Sequence, residues 1–288
     1  MTAQLNMVAG SVKRTDNSKT RIEWIDIAKG IGIVLVSFGH VRNGDGRSVW
    51  LPALDMLISA IYLFHMPLFY FLGGLTFGMR GGFRAFLVRK IKTLLVPYYV
   101  FSLYFLAKPI AILVMPSMGS IFQSSHNYNL TCYFVNVLVM GGGLWFLMAF
   151  FVSEIMMYGL VRIVKNNYTM LTIAGIALIL FSYTINCFVG KLSLPFQLWK
   201  GVEITGFMAL GYVFREKLKV LNRRKSAVYA VVGLIILCVL AWMVLSGRVS
   251  VPVRWIMSLL TALTGTFTFI FFSIAITQCG WLSYVGRY

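Results

Sequence analysis

The segment RIEWIDIAKGIGIVLVSFGH (residues 21–40) carries an acid, a lysine and a histidine in the first stretch apolar enough to enter a lipid bilayer. Ionisable groups at membrane depth are costly, and those that occur usually face a protein interior or a wet cavity. On a helix, Lys29 and His40 project from nearly the same face, about 16 Å apart along the axis. Asp26 lies one turn before Lys29. This segment is the strongest pointer to a functional site in the sequence.

The composition is typical of a membrane protein. Hydrophobic residues make up 59% of the 288 residues and charged residues only 12%, which is too little polar surface for a soluble chain of this length. The apolar residues occur in blocks of about 20, long enough to span a bilayer as helices, whereas the shorter alternation of a membrane β-barrel is not evident. We therefore predict an all-α integral membrane protein, a polytopic bundle of about eight transmembrane helices.

The predicted spans begin inside the opening segment and continue almost to the C-terminus. They cover about residues 25–41, 57–78, 92–114, 144–162, 169–189, 199–214, 227–246 and 254–277. We expect Pro67 and Pro97 to break the second and third spans, because proline removes a helical hydrogen bond. The region 116–143 contains no Lys, Arg, Asp or Glu and ends in three glycines. This favours an interfacial or re-entrant segment over an ordinary loop.

The net charge of +18 is explained by membrane topology. With the N-terminus in the cytoplasm, the predicted cytoplasmic segments hold 18 of the 26 Lys and Arg residues and the opposite side holds six, in agreement with the positive-inside rule. We therefore expect an N-terminus in the cytoplasm and no nucleic-acid partner. The cluster REKLKVLNRRK (215–225) would additionally face the head groups of anionic membrane lipids.

The domain organisation is simple. Residues 1–20 end in the polar, basic run SVKRTDNSKT, which predicts a cytoplasmic tail rather than a signal peptide. Residues 21–288 then form one transmembrane domain. The four cysteines are scattered, without a CxxC pair or metal-ligand spacing, so we expect them to be packing residues and predict no metal site.

The polar residues of the opening segment each allow two interpretations. His40 either takes up a proton near neutral pH or is a membrane-end histidine bonded to a neighbouring carbonyl. Lys29 either snorkels from the inner leaflet with Asp26 as its helix partner or holds a negatively charged cytoplasmic donor, such as a coenzyme phosphate.

Three more ionisable residues lie within the predicted spans. His65, in LFHMPLFYFLGG, either lines a site or satisfies backbone groups that Pro67 leaves free. Glu154 and Glu203 lie in the fourth and sixth spans, where a carboxylate is expected to be paired or protonated. Pairing between helices is the simpler interpretation of both.

The opening segment resembles the first-span signature of the acyltransferase 3 family, membrane enzymes that O-acylate sugars and other extracytoplasmic molecules. That signature has an Asp, a basic residue followed by Gly, and a His eleven positions after the basic residue, here Asp26, Lys29-Gly30 and His40. The lysine form resembles the fucose 4-O-acetylase-like branch. FHMPLFYFLGG (64–74) is similar to the second-span motif, with Gly73 where the family often has Ser. Similarity continues in RKIKTLLVPYY (89–99), LWFLMAFF (144–151) and GYVFREKL (211–218).

The resemblance implies a bacterial inner-membrane O-acetyltransferase that uses acetyl-CoA. Its acceptor would be a hydroxyl of a cell-surface polysaccharide or of its lipid-linked precursor. His40 would be the catalytic residue, and Lys29 would stand where the family has an essential Arg, orienting the donor. The remaining implied site residues hold Lys29, line the cavity or bind the donor: Asp26, His65, Glu154, Glu203, Arg89 and Lys90.

Two alternatives remain open at this point. A transporter or flippase for a lipid-linked glycan fits the composition equally well. Family members usually continue past a segment like WLSYVGRY (281–288) into at least one further span, which leaves open an inactive member that lacks the last one or two spans of the family. The oligomeric state is also left open.

Overall fold

The computed structural model describes residues 22–40, 52–115, 130–190 and 192–287, and within them all regular secondary structure is helical. The predicted cytoplasmic tail, residues 1–20, lies outside the described residues. The helices are α1 (Glu23–Gly39), α2 (Asp55–Tyr62), α3 (His65–Thr76), α4 (Phe83–Lys90), α5 (Val96–Val114), α6 (Leu130–Val135), α7 (Trp145–Ile163), α8 (Tyr168–Phe188), α9 (Leu198–Lys219), α10 (Arg223–Leu245), α11 (Val251–Ile276) and α12 (Gly280–Arg287).

The second predicted span is broken, as expected, into α2 and α3. The break falls at Leu63 and Phe64, where Phe64 leaves helical geometry (φ −134°, ψ −17°). Pro67 lies in the first turn of α3, and a proline ring clashes with the carbonyl four residues earlier, here that of Leu63. The proline therefore causes the break but lies three residues after it.

The third predicted span begins earlier than expected. A π-helical turn (Ile91–Leu95) joins α4 to α5, so the helical segment starts at Phe83 instead of residue 92. The wider π turn accommodates Pro97, which cannot donate a hydrogen bond to this stretch.

The region 116–143 is helical in its described part. Helix α6 continues into a π-helical turn (Asn136–Met140), which ends at Gly141 in a left-handed conformation (φ 76°). Residues 116–129 lie outside the described residues.

Helix α9 lies at the centre of the bundle and packs against α3, α7 and α8. Its contact with α3 is a contact between backbones. A Cβ atom at Gly211 would collide with the carbonyl oxygen of Phe71, and one at Gly74 would collide with that of Met208. Small residues permit this approach, as is usual between membrane helices.

The short helix α12 returns to the beginning of the bundle and packs along α1. Gly286 faces the carbonyl oxygen of Asp26, and Gly30 faces that of Leu282, each without room for a Cβ atom. The first half of α1, which carries Asp26 and Lys29, is thus fixed by the last described helix.

Within the described residues, five helical segments are long and apolar enough to cross a membrane. This confirms an all-α membrane bundle, whereas the number of eight spans and the cytoplasmic N-terminus remain predictions. The five segments are Asp55–Thr76, Asn136–Ile163, Tyr168–Phe188, Arg223–Leu245 and Val251–Ile276.

We predict that Gly211→Ala lowers the stability of the bundle. The added methyl group must push apart the backbones of α3 and α9, and such overpacking costs about 1–3 kcal/mol. Gly159→Ala is the matched control, because nothing lies within 4 Å of a Cβ atom at Gly159. The thermal unfolding midpoint in detergent should fall for Gly211→Ala only; equal midpoints for both variants would contradict the close contact.

Candidate functional site

A cavity of about 1010 Å³ lies where α1 begins and where α3, α4 and α9 end. We call it the cationic cavity, because five of its lining residues are basic and one is acidic. These residues are Arg80, Arg89, Lys90, Arg215, Lys219 and the acidic Glu216.

The acidic residue does not neutralise the cavity. The Glu216 carboxylate accepts hydrogen bonds from Lys219 Nζ (2.8 Å) and Arg215 Nε (3.1 Å). These bonds, chiefly that from Lys219, lower the pKa of Glu216, so the carboxylate stays charged to a lower pH than a free glutamate. The remaining lining cations leave an excess of positive charge, which favours a polyanionic ligand.

Arg215 is held in place from two sides. Its guanidinium lies 4.9 Å from the ring centroid of Tyr212 and donates to the carbonyl of Phe77 through Nη1 (3.3 Å). The Tyr212 hydroxyl in turn donates to Asn166 Oδ1 (2.9 Å). Asn166 lies in the turn between α7 and α8 with a left-handed backbone (φ 59°), which asparagine tolerates better than most residues. These contacts therefore hold the guanidinium group of Arg215 in a fixed orientation at the cavity.

Lys90 connects the cavity to the interior. Its Nζ donates to Glu154 Oε1 over 2.5 Å and lies 5.6 Å from the ring centroid of Phe86. Glu154 is buried on α7, and among the described residues nothing donates to its second oxygen. The pairing between helices that the sequence favoured for Glu154 is therefore present.

Helix α1 leads away from the cationic cavity. Ile25 lines the cavity, and Lys29 follows one turn later without lining it. Asp26 is buried, and one of its oxygens lies 3.9 Å from Lys29 Nζ, whose side chain is 35% exposed. The helical partner expected for Lys29 is thus in place.

The face of α1 between Lys29 and His40 is open. Ile33, Ser37 and His40 share this face at helical spacing, and all three are exposed among the described residues. The alignment that the sequence predicted for Lys29 and His40 is therefore present, and no described side chain covers it completely.

Both histidines of the predicted site bond to a backbone carbonyl four residues earlier. That carbonyl lies on α1 for His40 and on the preceding helix, α2, for His65. His40 Nδ1 lies 2.7 Å from the carbonyl oxygen of Val36, and His65 Nδ1 lies 2.9 Å from that of Ile61. A carbonyl can only accept, so each Nδ1 carries the proton, and Nε2 of the neutral ring has the lone pair that can accept one. The carbonyl-bonded alternative considered for His40 is thus compatible with its action as a base.

Tyr62 brings the two histidines to the same end of the bundle. Its hydroxyl donates to the carbonyl of Gly39 (3.1 Å), next to His40, and its ring meets that of His65 edge-on at 4.9 Å. His65 itself is buried. Nothing in the spacing of Tyr62 distinguishes it in the sequence from the other aromatic residues of the span.

The histidines and the cationic cavity lie at opposite ends of the bundle. Helix α3 begins at His65 and reaches the cavity at Thr76, about 16 Å away at the usual helical rise. Helix α9 likewise runs from Lys200 to the cavity at Arg215, about 22 Å along its axis. Glu203 pairs with Lys200 on its own helix, Oε2 to Nζ 3.7 Å, and in the part of the chain that the structure describes it has no cation from a neighbouring helix.

The structure adds three cavity residues, Arg80, Arg215 and Lys219, to the predicted donor-binding residues Arg89 and Lys90. From the sequence they were explained by the positive-inside pattern and, for Arg215 and Lys219, by lipid head groups. Their convergence was not evident from the sequence, because they come from the loop after α3 and from the end of α9.

Comparison with known proteins identifies one family. The family model described as an acyltransferase domain (Acyl_transf_3) matches residues 22–288. No curated protein and no solved structure matches the chain.

We predict that Lys90→Met destabilises the fold by leaving the buried Glu154 carboxylate without its cation, at a cost of about 3 kcal/mol. Adding Glu154→Gln should recover most of this loss, as a double-mutant cycle of unfolding midpoints in detergent would show. Lys219→Met is the control, since it opens an exposed ion pair with Glu216 that contributes little. Equal shifts for the two lysine variants would contradict a structural role of the buried pair.

Proposed function

Because the chain belongs to the acyltransferase 3 family, we propose that this membrane acyltransferase is an O-acetyltransferase that uses acetyl-CoA. It transfers the acetyl group to a hydroxyl of a cell-surface polysaccharide or of its lipid-linked precursor. The observation that carries the proposal is the arrangement along α1, with a cationic cavity at one end and, at the other, a histidine whose Nδ1 bonds to a backbone carbonyl.

The cationic cavity fits the charged part of the donor. Coenzyme A carries a diphosphate and a ribose phosphate, and arginine forks and lysine ammonium groups are the usual partners of phosphate oxygens. The cavity volume, about 1010 Å³, is at the upper end of the range of small-molecule sites and suits a ligand as large as a coenzyme. Arg89 and Lys90 would bind the phosphates together with Arg80, Arg215 and Lys219.

The open face of α1 offers a route from the cavity to His40. Lys29 stands one turn beyond the cavity and about 16 Å from His40 along the helix, so the two cannot contact the same reacting atom. Lys29 therefore binds and orients the donor, with Asp26 holding its ammonium group. The pantetheine arm would lie along this face and place the thioester beside His40.

His40 then acts as the general base. The acceptor hydroxyl gives its proton to Nε2 while its oxygen attacks the thioester carbonyl carbon. The carbon–sulfur bond breaks, and the departing thiolate of coenzyme A takes the proton from the imidazolium. The bond from Nδ1 to the Val36 carbonyl maintains the required tautomer. Tyr62 holds the backbone beside His40 through the Gly39 carbonyl, and its ring packs against His65.

The location and the partners of the protein follow from the proposed reaction. The excess of Lys and Arg in the predicted cytoplasmic segments supports a multi-pass protein of the bacterial inner membrane, with the cationic cavity facing the cytoplasm. Acetyl-CoA is made in that compartment, and surface glycans lie on the other side. Membrane lipid and the glycan acceptor are then the partners, and the positive charge needs no nucleic acid to explain it.

We predict that His40→Gln abolishes acetyl transfer, because glutamine cannot take up the proton of the acceptor hydroxyl. The O-acetyl content of the surface polysaccharide, measured by NMR on cells with normal levels of the variant, should fall to background while the amount of polysaccharide is unchanged. Loss of the polysaccharide itself would favour the flippase alternative. Undiminished acetylation would overturn the role of His40.

We predict that Arg80→Gln and Arg215→Gln each weaken coenzyme A binding about tenfold, the effect of one lost charge-assisted hydrogen bond. Arg84→Gln and Lys92→Gln are matched controls. These two cations lie on the helical segment that also carries Arg89 and Lys90, but they are exposed and do not line the cavity. Isothermal titration calorimetry in detergent should show a weaker affinity for coenzyme A in the two cavity variants than in the two control variants. Equal affinities for all four variants would exclude the cavity as the donor site.

A further inference from the structure

The carboxylate of Glu203 has unused capacity to accept hydrogen bonds. Its side chain is 12% exposed, and its nearest cation, Lys200 Nζ, lies 3.7 Å from Oε2, beyond hydrogen-bonding distance. Among the described residues, none donates a hydrogen bond to it. A carboxylate so far removed from water is costly unless donors reach it, and the small remaining opening leaves room for donors from a ligand.

An aromatic ring adjoins this carboxylate. Trp145, the first residue of α7, is partly exposed, and its ring centroid lies 5.9 Å from Lys200 Nζ. Lys200 thus touches both the ring and the carboxylate. We call these three residues, Trp145, Lys200 and Glu203, the tryptophan–glutamate cluster.

The chemistry of the cluster selects the ligand. A carboxylate attracts hydroxyl donors and repels phosphate, while an indole face binds flat apolar surface. A sugar ring offers both, because its hydroxyl groups lie around its edge and its C–H bonds form an apolar face. The lysine adds a donor for a ring or glycosidic oxygen.

The cluster lies on the same side of the bundle as the histidines. The Phe146 ring packs edge-on against the ring of Trp145, and its centroid lies 5.9 Å from that of Phe69. Phe69 lies one turn after His65 on α3. A Cβ atom at Gly32 of α1 would come within 2.7 Å of the Phe69 ring. Gly32 precedes His40 by about 12 Å along the helix, a separation larger than one sugar ring.

We infer that the tryptophan–glutamate cluster binds a further sugar residue of the acceptor, in the same chain as the residue whose hydroxyl is acetylated at His40 but not directly linked to it. This inference rests on the proposed function and adds an acceptor subsite to it. The acceptor is an oligosaccharide or polysaccharide of several linked sugars, and a free monosaccharide, which cannot reach both places, is a poor acceptor.

The test uses the full-length protein in membranes of its host, with radiolabelled acetyl-CoA and de-O-acetylated oligosaccharides released from the surface polysaccharide of that host. Glu203→Gln should raise the KM for the oligosaccharide about tenfold, the effect of one lost hydrogen bond to a charged group. Trp145→Leu should also raise this KM, because it removes the aromatic face on which the sugar packs. The KM for acetyl-CoA should not change. The monosaccharides from complete hydrolysis should be acetylated far more slowly by the unaltered protein.

The matched control is Trp242→Leu. Trp242 also has a cation beside its ring, Arg248 at 5.7 Å, and it lies at the same end of the bundle, since α10 begins at Arg223 beside the cavity-lining Trp24 and Lys219. This variant should keep both KM values. Trp145→Phe, which keeps an aromatic face, should lie between the unaltered protein and Trp145→Leu, and together with the nearly isosteric Glu203→Gln it carries the test if Trp145→Leu does not fold.

The outcomes separate this inference from the proposed function. If the unaltered protein transfers no acetyl group to any oligosaccharide, both the proposed function and the inference fail. If it does transfer acetyl groups but Glu203→Gln and Trp145→Phe leave the oligosaccharide KM unchanged, or if monosaccharides serve equally well, only the inference is overturned.

Discussion

The backbones of α3 and α9 meet at Gly74 and Gly211, where a methyl group on either residue would strike a carbonyl oxygen of the facing helix. This close contact sets the relative position of the two helices along their axes, and each of them has one end at the cationic cavity. Both candidate ends of the reaction depend on it, because α3 also carries His65 and α9 also carries Glu203. The packing of small residues, which supplies much of the association energy between membrane helices, therefore fixes the separation between the cationic cavity and the end of the bundle that carries the histidines.

The distribution of charge follows from the cost of ions in lipid. Among the described residues, Lys90 is the one cavity cation that bonds to a buried carboxylate. Its bond to Glu154 offsets part of the free-energy cost of removing that carboxylate from water. The other cavity cations remain partly exposed, so they can exchange water for phosphate at low cost. A site of this kind attracts a polyanion from one side of the membrane only.

The sequence predicted what depends on spacing along one helix. The shared face of Lys29 and His40, the pair of Lys29 with Asp26, and the break caused by Pro67 are local consequences of helical geometry, and all three are present. Convergence between helices was not predictable. Arg80 and Arg215 are far apart in the chain, and Tyr62 contacts the residue beside His40 only because α2 folds back along α1. Sequence reasoning predicted the same pairing for Glu154 and Glu203, yet Glu154 pairs with a residue of another helix and Glu203 with a residue of its own.

Sidedness follows directly from the separation of the two ends, and sealed vesicles can measure it. Radiolabelled acetyl-CoA, which does not cross membranes, would be added outside right-side-out and inverted vesicles prepared from the same cells. If the donor binds at the cationic cavity on the cytoplasmic side and the acetyl group leaves near His40, inverted vesicles should incorporate label into glycan enclosed in their lumen. Inverted vesicles with His40→Gln should not. Label incorporated by right-side-out vesicles alone would contradict this account.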